Sequence, residues 1–238
     1  MTQKIRINKF LSDSGITSRR KSEEFILEGR VAVNNNVITS LSYKVDTEKD
    51  VVTLDGEKIK PRKNIYLLLN KPKRYITTVS DDRNRQTVLD LIKIKEKIYP
   101  VGRLDYKTTG LLFLTNDGDF TQLLTHPSNK VPREYEVKLD KPLEFNDSKR
   151  LTDKIILDST PAKFLKVSFI KLNDKRIVTV LCEEGRNRFV KRMFGKLGYR
   201  VEELLRISYA GIKLDVPIGK YRHLTLKEIQ TIKEKYSN

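Results

Sequence analysis

The sequence predicts an α+β protein of two domains: a small helix–helix–strand unit over residues 1–60 and a larger, mostly antiparallel-sheet unit over residues 61–238. Three observations carry this reading. Two capped helix patterns come before any dense run of strands. A polar, proline-containing segment, EKIKPRKN ending at Asn64, separates them from a continuous apolar strand. Beyond it, strand patterns follow one another without the regular strand–helix alternation of a parallel sheet. With 238 residues and 38 % hydrophobic content, there is room for a sizeable core.

In the small unit, IRINKFLSDSG reads as a short amphipathic helix ending at Gly15. RRKSEEFILEG reads as a second helix, with Ser18 as its N-cap and Gly29 as its stop. RVAVN and DVVTLDGEKI then show strand alternation. Across the linker, IYLLLNKP is an apolar strand of the fully buried kind. IYPVGRLD is the next strand, YKTTG a loop, LLFLTN another strand, and DGD at 117–119 a tight turn, because Gly and Asp tolerate positive φ. Further strands are predicted at 133–139, 162–172, 176–184 and 204–214. Helices are predicted at 186–198, stopped by Gly198, and over TLKEIQTIKEKY, where Thr225 and Glu228 form a capping box. There is no internal repeat and no low-complexity stretch.

Charge narrows the function. The chain has 48 Lys and Arg against 31 Asp and Glu, a net +17, together with ten Tyr and nine Phe, which points to a polyanionic partner and to nucleic acid first. Residues 1–60 carry 11 basic and 9 acidic side chains, leaving 37 against 22, or +15, on residues 61–238. The larger unit must therefore face much of the polyanion. No apolar run reaches the ~18 residues of a membrane span, and MTQKIRINKF lacks the apolar centre of a signal peptide, so a cytoplasmic protein away from membranes is expected. One cysteine excludes an internal disulfide, and one Cys with two His does not build a zinc centre. Cys182, in an apolar strand, reads as a small buried hydrophobe; His126 and His223 sit beside turn or cap signals with no nucleophile motif near them. Neither of the glycine-rich nucleotide- or dinucleotide-binding motifs occurs. The available chemistry is that of carboxylate, phenol and cationic groups.

Three segments of the larger unit combine such groups. In Gly102-Arg103-Leu104-Asp105 a carboxylate stands beside an arginine at a strand end. A strand-end aspartate ordinarily caps its turn, and the residues alone leave that reading open. PREYEV sets Tyr135 in a strand, flanked by Arg133 and Glu134. EEGRNRFVKRMFGKLG holds Arg186, Arg188, Lys191 and Arg192 within seven residues, with Arg188 and Arg192 on one face at helical spacing. A solvated basic face and a phosphate-binding one are both open for this third segment.

These segments, in this order, with GRLDYKTTGLLFLTNDGD, HPSNKVPREYEVKL, EGRNRFVKRMFGKLGYRVEELLRISYAGIKL and GKYRHLT, closely resemble the ribosomal RNA pseudouridine synthases of the RsuA/RluB/RluF family. RINKFLSDSGITSRRKSEEFILEGRVAVN is similar to the small RNA-binding domain those enzymes share with ribosomal small-subunit protein four. The resemblance implies that Asp105 is the catalytic nucleophile, that Tyr135 packs on the target base and that Lys191 pairs with Asp105. Lys191 stands where many members have Arg, and Phe189 where many have Gln. Arg19, Arg20 and Lys21 of the small unit, with Arg103, Arg133, Arg186, Arg188 and Arg192 of the larger one, are the expected RNA contacts. The partner expected is ribosomal RNA within a ribosomal-subunit assembly intermediate, met by a monomer. Overall similarity leans toward the large-subunit enzymes of the RluB type. The alternatives are a small-subunit enzyme of the RsuA type and a non-catalytic rRNA-binding or assembly factor, against which an intact Asp105, Tyr135 and Lys191 argue.

The chemistry agrees. Converting uridine to pseudouridine breaks an N-glycosidic bond, turns the uracil over and forms a carbon–carbon bond with no net redox change, so no cofactor or metal is expected. A carboxylate can stabilise cationic character at the sugar C1′ or attack it covalently, as in glycosidases, provided that water is excluded. The target must be flipped out of its stack, with phosphates held by Lys and Arg around the pocket.

Overall fold

The computed structural model describes residues 4–60, 62–171 and 173–237. The chain divides into two compact units, residues 1–64 and 65–238. Pro61 of the linker and Leu172, at the end of the strand expected over 162–172, lie outside the described residues.

In the first unit a short strand, β1 (Lys4–Arg6), precedes α1 (Ile7–Asp13) and α2 (Arg19–Leu27). The helix expected from residue 5 therefore starts two residues later, because Lys4–Arg6 pair with β4 (Lys44–Asp46). Ser18 caps α2 as expected, its side chain accepting from the Lys21 N–H. A four-stranded sheet is built from β2 (Val31–Val33), β3 (Asn36–Val37), β5 (Val52–Leu54) and β6 (Glu57–Lys58) in the order β3-β2-β5-β6. Ile7, Leu11, Ile26, Val31 and Val45 are fully buried in this unit's own core.

The second unit is organised by a nine-stranded sheet. Its strands are β7 (Tyr66–Lys71), β8 (Tyr99–Pro100), β9 (Thr109–Thr115), β10 (Arg133–Leu139), β13 (Lys166–Lys171), β14 (Asp174–Cys182), β15 (Val201–Tyr209), β16 (Ile212–Lys213) and β17 (Tyr221–His223). A separate hairpin is formed by β11 (Ile155–Leu157) and β12 (Thr160–Ala162). The main path runs β13-β14-β10-β15-β9-β7-β17, and among the described residues every pairing in it is antiparallel except β15 with β9. The apolar runs of β7 and β9 are continuous because both sheet faces are covered. Leu67, Leu69, Leu112 and Leu114 point into one core, and Leu68, Leu111 and Phe113 into another. Helices α4 (Phe145–Asp153) and α5 (Phe189–Gly195) close the first face through Leu151, Val190, Met193 and Phe194. Helices α3 (Gly118–Thr125) and α6 (Leu226–Tyr236) close the second through Phe120, Leu124, Ile232 and Tyr236. Each such fully buried large side chain contributes about 1.5–3 kcal/mol. Among the described residues no helix is long and apolar enough to cross a membrane.

Two expectations need correction here. DGD at 117–119 is not a tight turn: Asp117 is the N-cap of α3, its carboxylate accepting from the Phe120 N–H. The strand expected over 98–105 is confined to Tyr99–Pro100, after which the chain leaves the sheet at Gly102, whose φ is +73°.

Candidate active site

Asp105 stands in the connection from β8 to β9. Thr77 clamps this loop, donating to the Leu104 carbonyl at 2.8 Å and accepting from the Leu104 N–H at 3.3 Å. The Thr108 N–H closes the turn onto the main-chain carbonyl of Asp105 at 3.0 Å. The turn is thus held by backbone, and the Asp105 side chain is left for another partner. That partner is Lys191 of α5, whose Nζ donates to Asp105 Oδ2 at 2.8 Å and lies 3.4 Å from Thr108 Oγ1. The pair is partly shielded, the lysine side chain 18 % and the aspartate 34 % exposed.

Lys71, the last residue of β7, lies beneath the same loop with no exposed surface. Its Nζ donates to the carbonyls of Thr108 at 2.9 Å, Pro72 at 3.0 Å and Asp105 at 3.2 Å. Burial pulls this ammonium down to about 8, with Asp105 raising it and Lys191 lowering it further. Lys71 positions the loop from below while Lys191 addresses the carboxylate from above.

Asp105 opens onto a cleft of ≈ 160 Å³ whose wall includes Arg103, Tyr135, Arg188, Leu204 and Arg206. Tyr135 of β10 is 9 % exposed; burial pushes its phenol up, and the guanidiniums of Arg206 and Arg133 act in the opposite direction. Cys182 also lines the cleft, its thiol pushed up to about 12 by burial, which leaves it a neutral hydrophobe.

The expected RNA contacts separate into groups. Arg103 and Arg188 are exposed at the cleft, and among the described residues no ion pair or hydrogen bond engages either guanidinium. Arg188 has φ +51° and stands before α5, so it shares no helical face with Arg192; the helix expected over 186–198 is confined to Phe189–Gly195. Arg186 is tied to Glu184 Oε2 at 2.6 Å and to Thr160 Oγ1 at 2.6 Å, and Arg192 pairs with Asp158 of the β11–β12 turn. These two cations brace the hairpin. Arg133 is buried, donating to the carbonyls of Glu183 at 2.9 Å, Leu124 at 3.2 Å and Val131 at 3.3 Å, so its guanidinium has little left for a phosphate. Arg19, Arg20 and Lys21 are exposed on the first turn of α2, with Lys21 paired to Glu24.

Sequence reasoning missed Lys71 and Arg206. Both carried a signal: a lysine ending the buried strand YLLLNK, and an arginine in LLRISY two residues after Leu204, on the same inward-facing side of the strand.

Residues 65–196 match the RNA pseudouridylate synthase family, and residues 5–52 match the S4 domain. An RNA pseudouridine synthase of Aquifex aeolicus is 42 % identical over 94 % of this chain and 92 % of its own length. Ribosomal large subunit pseudouridine synthase B of Bacillus subtilis is 39 % identical over 96 % of this chain and 95 % of its own length. A crystal structure of a pseudouridylate synthase superposes with a TM-score of 0.68 at 30 % identity, covering 96 % of this chain and 99 % of that one.

Proposed function

The chain belongs to the RNA pseudouridylate synthase family, and from that membership we propose that its cleft isomerises a uridine of large-subunit ribosomal RNA to pseudouridine, with Asp105 as the nucleophile. The observation that carries this is the Asp105 carboxylate, not engaged by the turn around it, opening onto a cleft and held 2.8 Å from a single cation. The large-subunit target is supported by the 39 % identity, over nearly the whole of both chains, to the Bacillus subtilis enzyme.

In this reading the uridine leaves its stack and enters the cleft, where Tyr135 packs against the ring. An Asp105 oxygen bonds to C1′ as the N1–C1′ bond breaks. The freed uracil turns within the closed space, and C5 takes the place of N1. The apolar wall around Tyr135, Cys182 and Leu204 excludes water that would otherwise hydrolyse the glycosyl bond to Asp105. Lys191 holds the carboxylate in place through its 2.8 Å hydrogen bond. Arg103 and Arg188 hold phosphates beside the cleft, and residues 1–60 act as an RNA-binding domain through Arg19, Arg20 and Lys21. The enzyme works in the cytoplasm as a monomer on a subunit assembly intermediate.

Asp105→Asn is the direct test: single-turnover isomerisation should vanish while RNA affinity stays within about tenfold, because phosphate contacts elsewhere hold the RNA. Substantial turnover by pure Asp105→Asn protein sinks the assignment. Mapping pseudouridines in rRNA from cells with and without the gene identifies the site. Loss of a small-subunit pseudouridine would move the target there, and loss of none would favour a non-catalytic assembly factor.

A further inference from the structure

The cleft is lined by a buried cation, Arg206, one of whose donors the fold leaves unspent. Arg206 is 3 % exposed; its Nε donates to the Leu111 carbonyl at 2.6 Å, and its guanidinium carbon sits 4.7 Å from the Tyr209 ring centre. Its Nη2 is buried with no hydrogen-bond partner. Leaving such a donor unpaired costs on the order of 1–3 kcal/mol. Among the described residues no carboxylate pairs with it. The other buried guanidinium in the cleft, Arg133, has both of its terminal nitrogens committed to main-chain carbonyls.

Two built features place this side chain. The β10–β15 ladder slips between Glu134 and Tyr135, so Tyr135 stands opposite Arg206; such bulges re-aim side chains next to active sites. On the other side, β15 meets β9 in a parallel pairing, Arg206 opposite Gly110. A Cβ on Gly110 would lie 2.3 Å from the Arg206 carbonyl oxygen, so only glycine lets the strands approach this closely.

Building on the reading of this cleft as the place where the glycosidic bond opens, we propose that Arg206 Nη2 hydrogen-bonds a carbonyl oxygen of the flipped uracil and carries the negative charge that the ring gains when N1–C1′ breaks. As an Asp105 oxygen bonds to C1′, the N1–C1′ electron pair passes to the ring and spreads over N1, O2 and O4. On return, C5 of the turned ring gives an electron pair to C1′, and the Asp105–C1′ bond returns its pair to the carboxylate. C5 then loses a proton and N1 gains one, so the product is an isomer of the substrate. A guanidinium suits this task because it remains charged at every working pH and its donors are fixed by the fork. In a site closed to water its attraction for the developing charge is far stronger than in solution.

The test uses a ribosomal RNA fragment spanning the mapped uridine, synthesised with uridine or 5-fluorouridine at that one position. Single-turnover loss of the N-linked nucleoside is followed at saturating enzyme for wild type, Arg206→Gln and Arg206→Lys. Fluorine at C5 withdraws electrons from the ring anion and so stands in for part of the lost cation. Arg206→Gln should slow the uridine RNA by about 100-fold or more relative to wild type and the fluorinated RNA by about tenfold or less, with Arg206→Lys between wild type and Arg206→Gln on uridine. Equal slowing on both RNAs, accompanied by a lower melting temperature, would mean that Arg206 only supports the strands, and full-rate conversion of uridine by Arg206→Gln would equally overturn the proposal. If Arg206→Gln does not fold, the same comparison is made with Arg206→Lys, which keeps a charge on a shorter, unforked donor. Asp105→Asn is run alongside: turnover by that variant refutes the parent reading whatever Arg206 does.

Discussion

The Asp105 carboxylate is left free by the turn around it and is met by one lysine, Lys191, 2.8 Å away. Lys191→Met removes this charge while keeping most of the bulk. Single-turnover rates should then fall by about 100-fold or more while RNA affinity weakens only modestly; Lys191→Arg should retain measurable activity because it keeps a cation there. Full-rate conversion by Lys191→Met would make Lys191 a phosphate contact. The buried lysine beneath it is testable by pH. Lys71 has its proton affinity lowered on folding, from 10.5 to about 8. Between those values the unfolded chain binds more protons than the folded one, so stability rises with pH across that window. Lys71→Met should be less stable throughout, since three carbonyls lose their donor, and its deficit should widen by up to about 3 kcal/mol between pH 8 and 10.5. Denaturant melts of both proteins at pH 7 and 10 measure this, and a deficit that does not widen would show that Lys71 titrates normally. The meeting of Asp105 with Lys191, and of Asp105 and Tyr135 on one cleft, was legible because motif order singled these residues out. Lys71 and Arg206 were not, because a charge inside an apolar run looks like the end of a strand until the strand's neighbours are known.

At the scale of elements, the site depends on how closely β9 approaches β15. Gly110 has φ +103°, and an added Cβ would meet the Arg206 carbonyl oxygen at 2.3 Å and the Arg206 nitrogen at 2.7 Å. Neither atom can yield without moving a strand that also carries Leu204 and Tyr209. Gly110→Ala should therefore cost about 3 kcal/mol and slow turnover more than it weakens RNA binding, since Arg206 shifts with its strand. A chemical-denaturation loss below about 1 kcal/mol would show that the two strands can spread. Strand existence was readable here from apolar runs, whereas boundaries and turns were not. Asp117 shows why: the carboxylate that suits a tight turn also suits a helix N-cap, and what decides is Phe120 and Leu124 reaching the core beneath β9. In the same way Arg188, outside the regular φ range at +51°, ends a pattern that spacing alone would continue through it.

The whole molecule puts +15 on residues 61–238 and +2 on residues 1–60, which locates the electrostatic hold on RNA mainly in the larger unit. Several of its arginines are engaged with protein: Arg186, Arg192 and Arg222 each pair with carboxylates, and Arg133 is bound to carbonyls. Net charge therefore overstates the number of phosphates neutralised. Affinity for RNA should still fall with salt at ~0.7 to 0.9 log units per log unit for each phosphate contact. Removing Arg103 or Arg188 should flatten that slope by nearly one contact each, and removing Arg192 should flatten it less while loosening the β11–β12 hairpin. Each unit has its own buried core, so a chain lacking residues 1–64 should fold. If the small unit selects the target, that truncated chain should bind RNA with a shallower slope and lose discrimination between its mapped site and other uridines, while converting a short fragment at saturating enzyme as fast as the full chain. Conversion and selectivity on intact ribosomal RNA equal to those of the full chain would show that targeting resides in the larger unit alone.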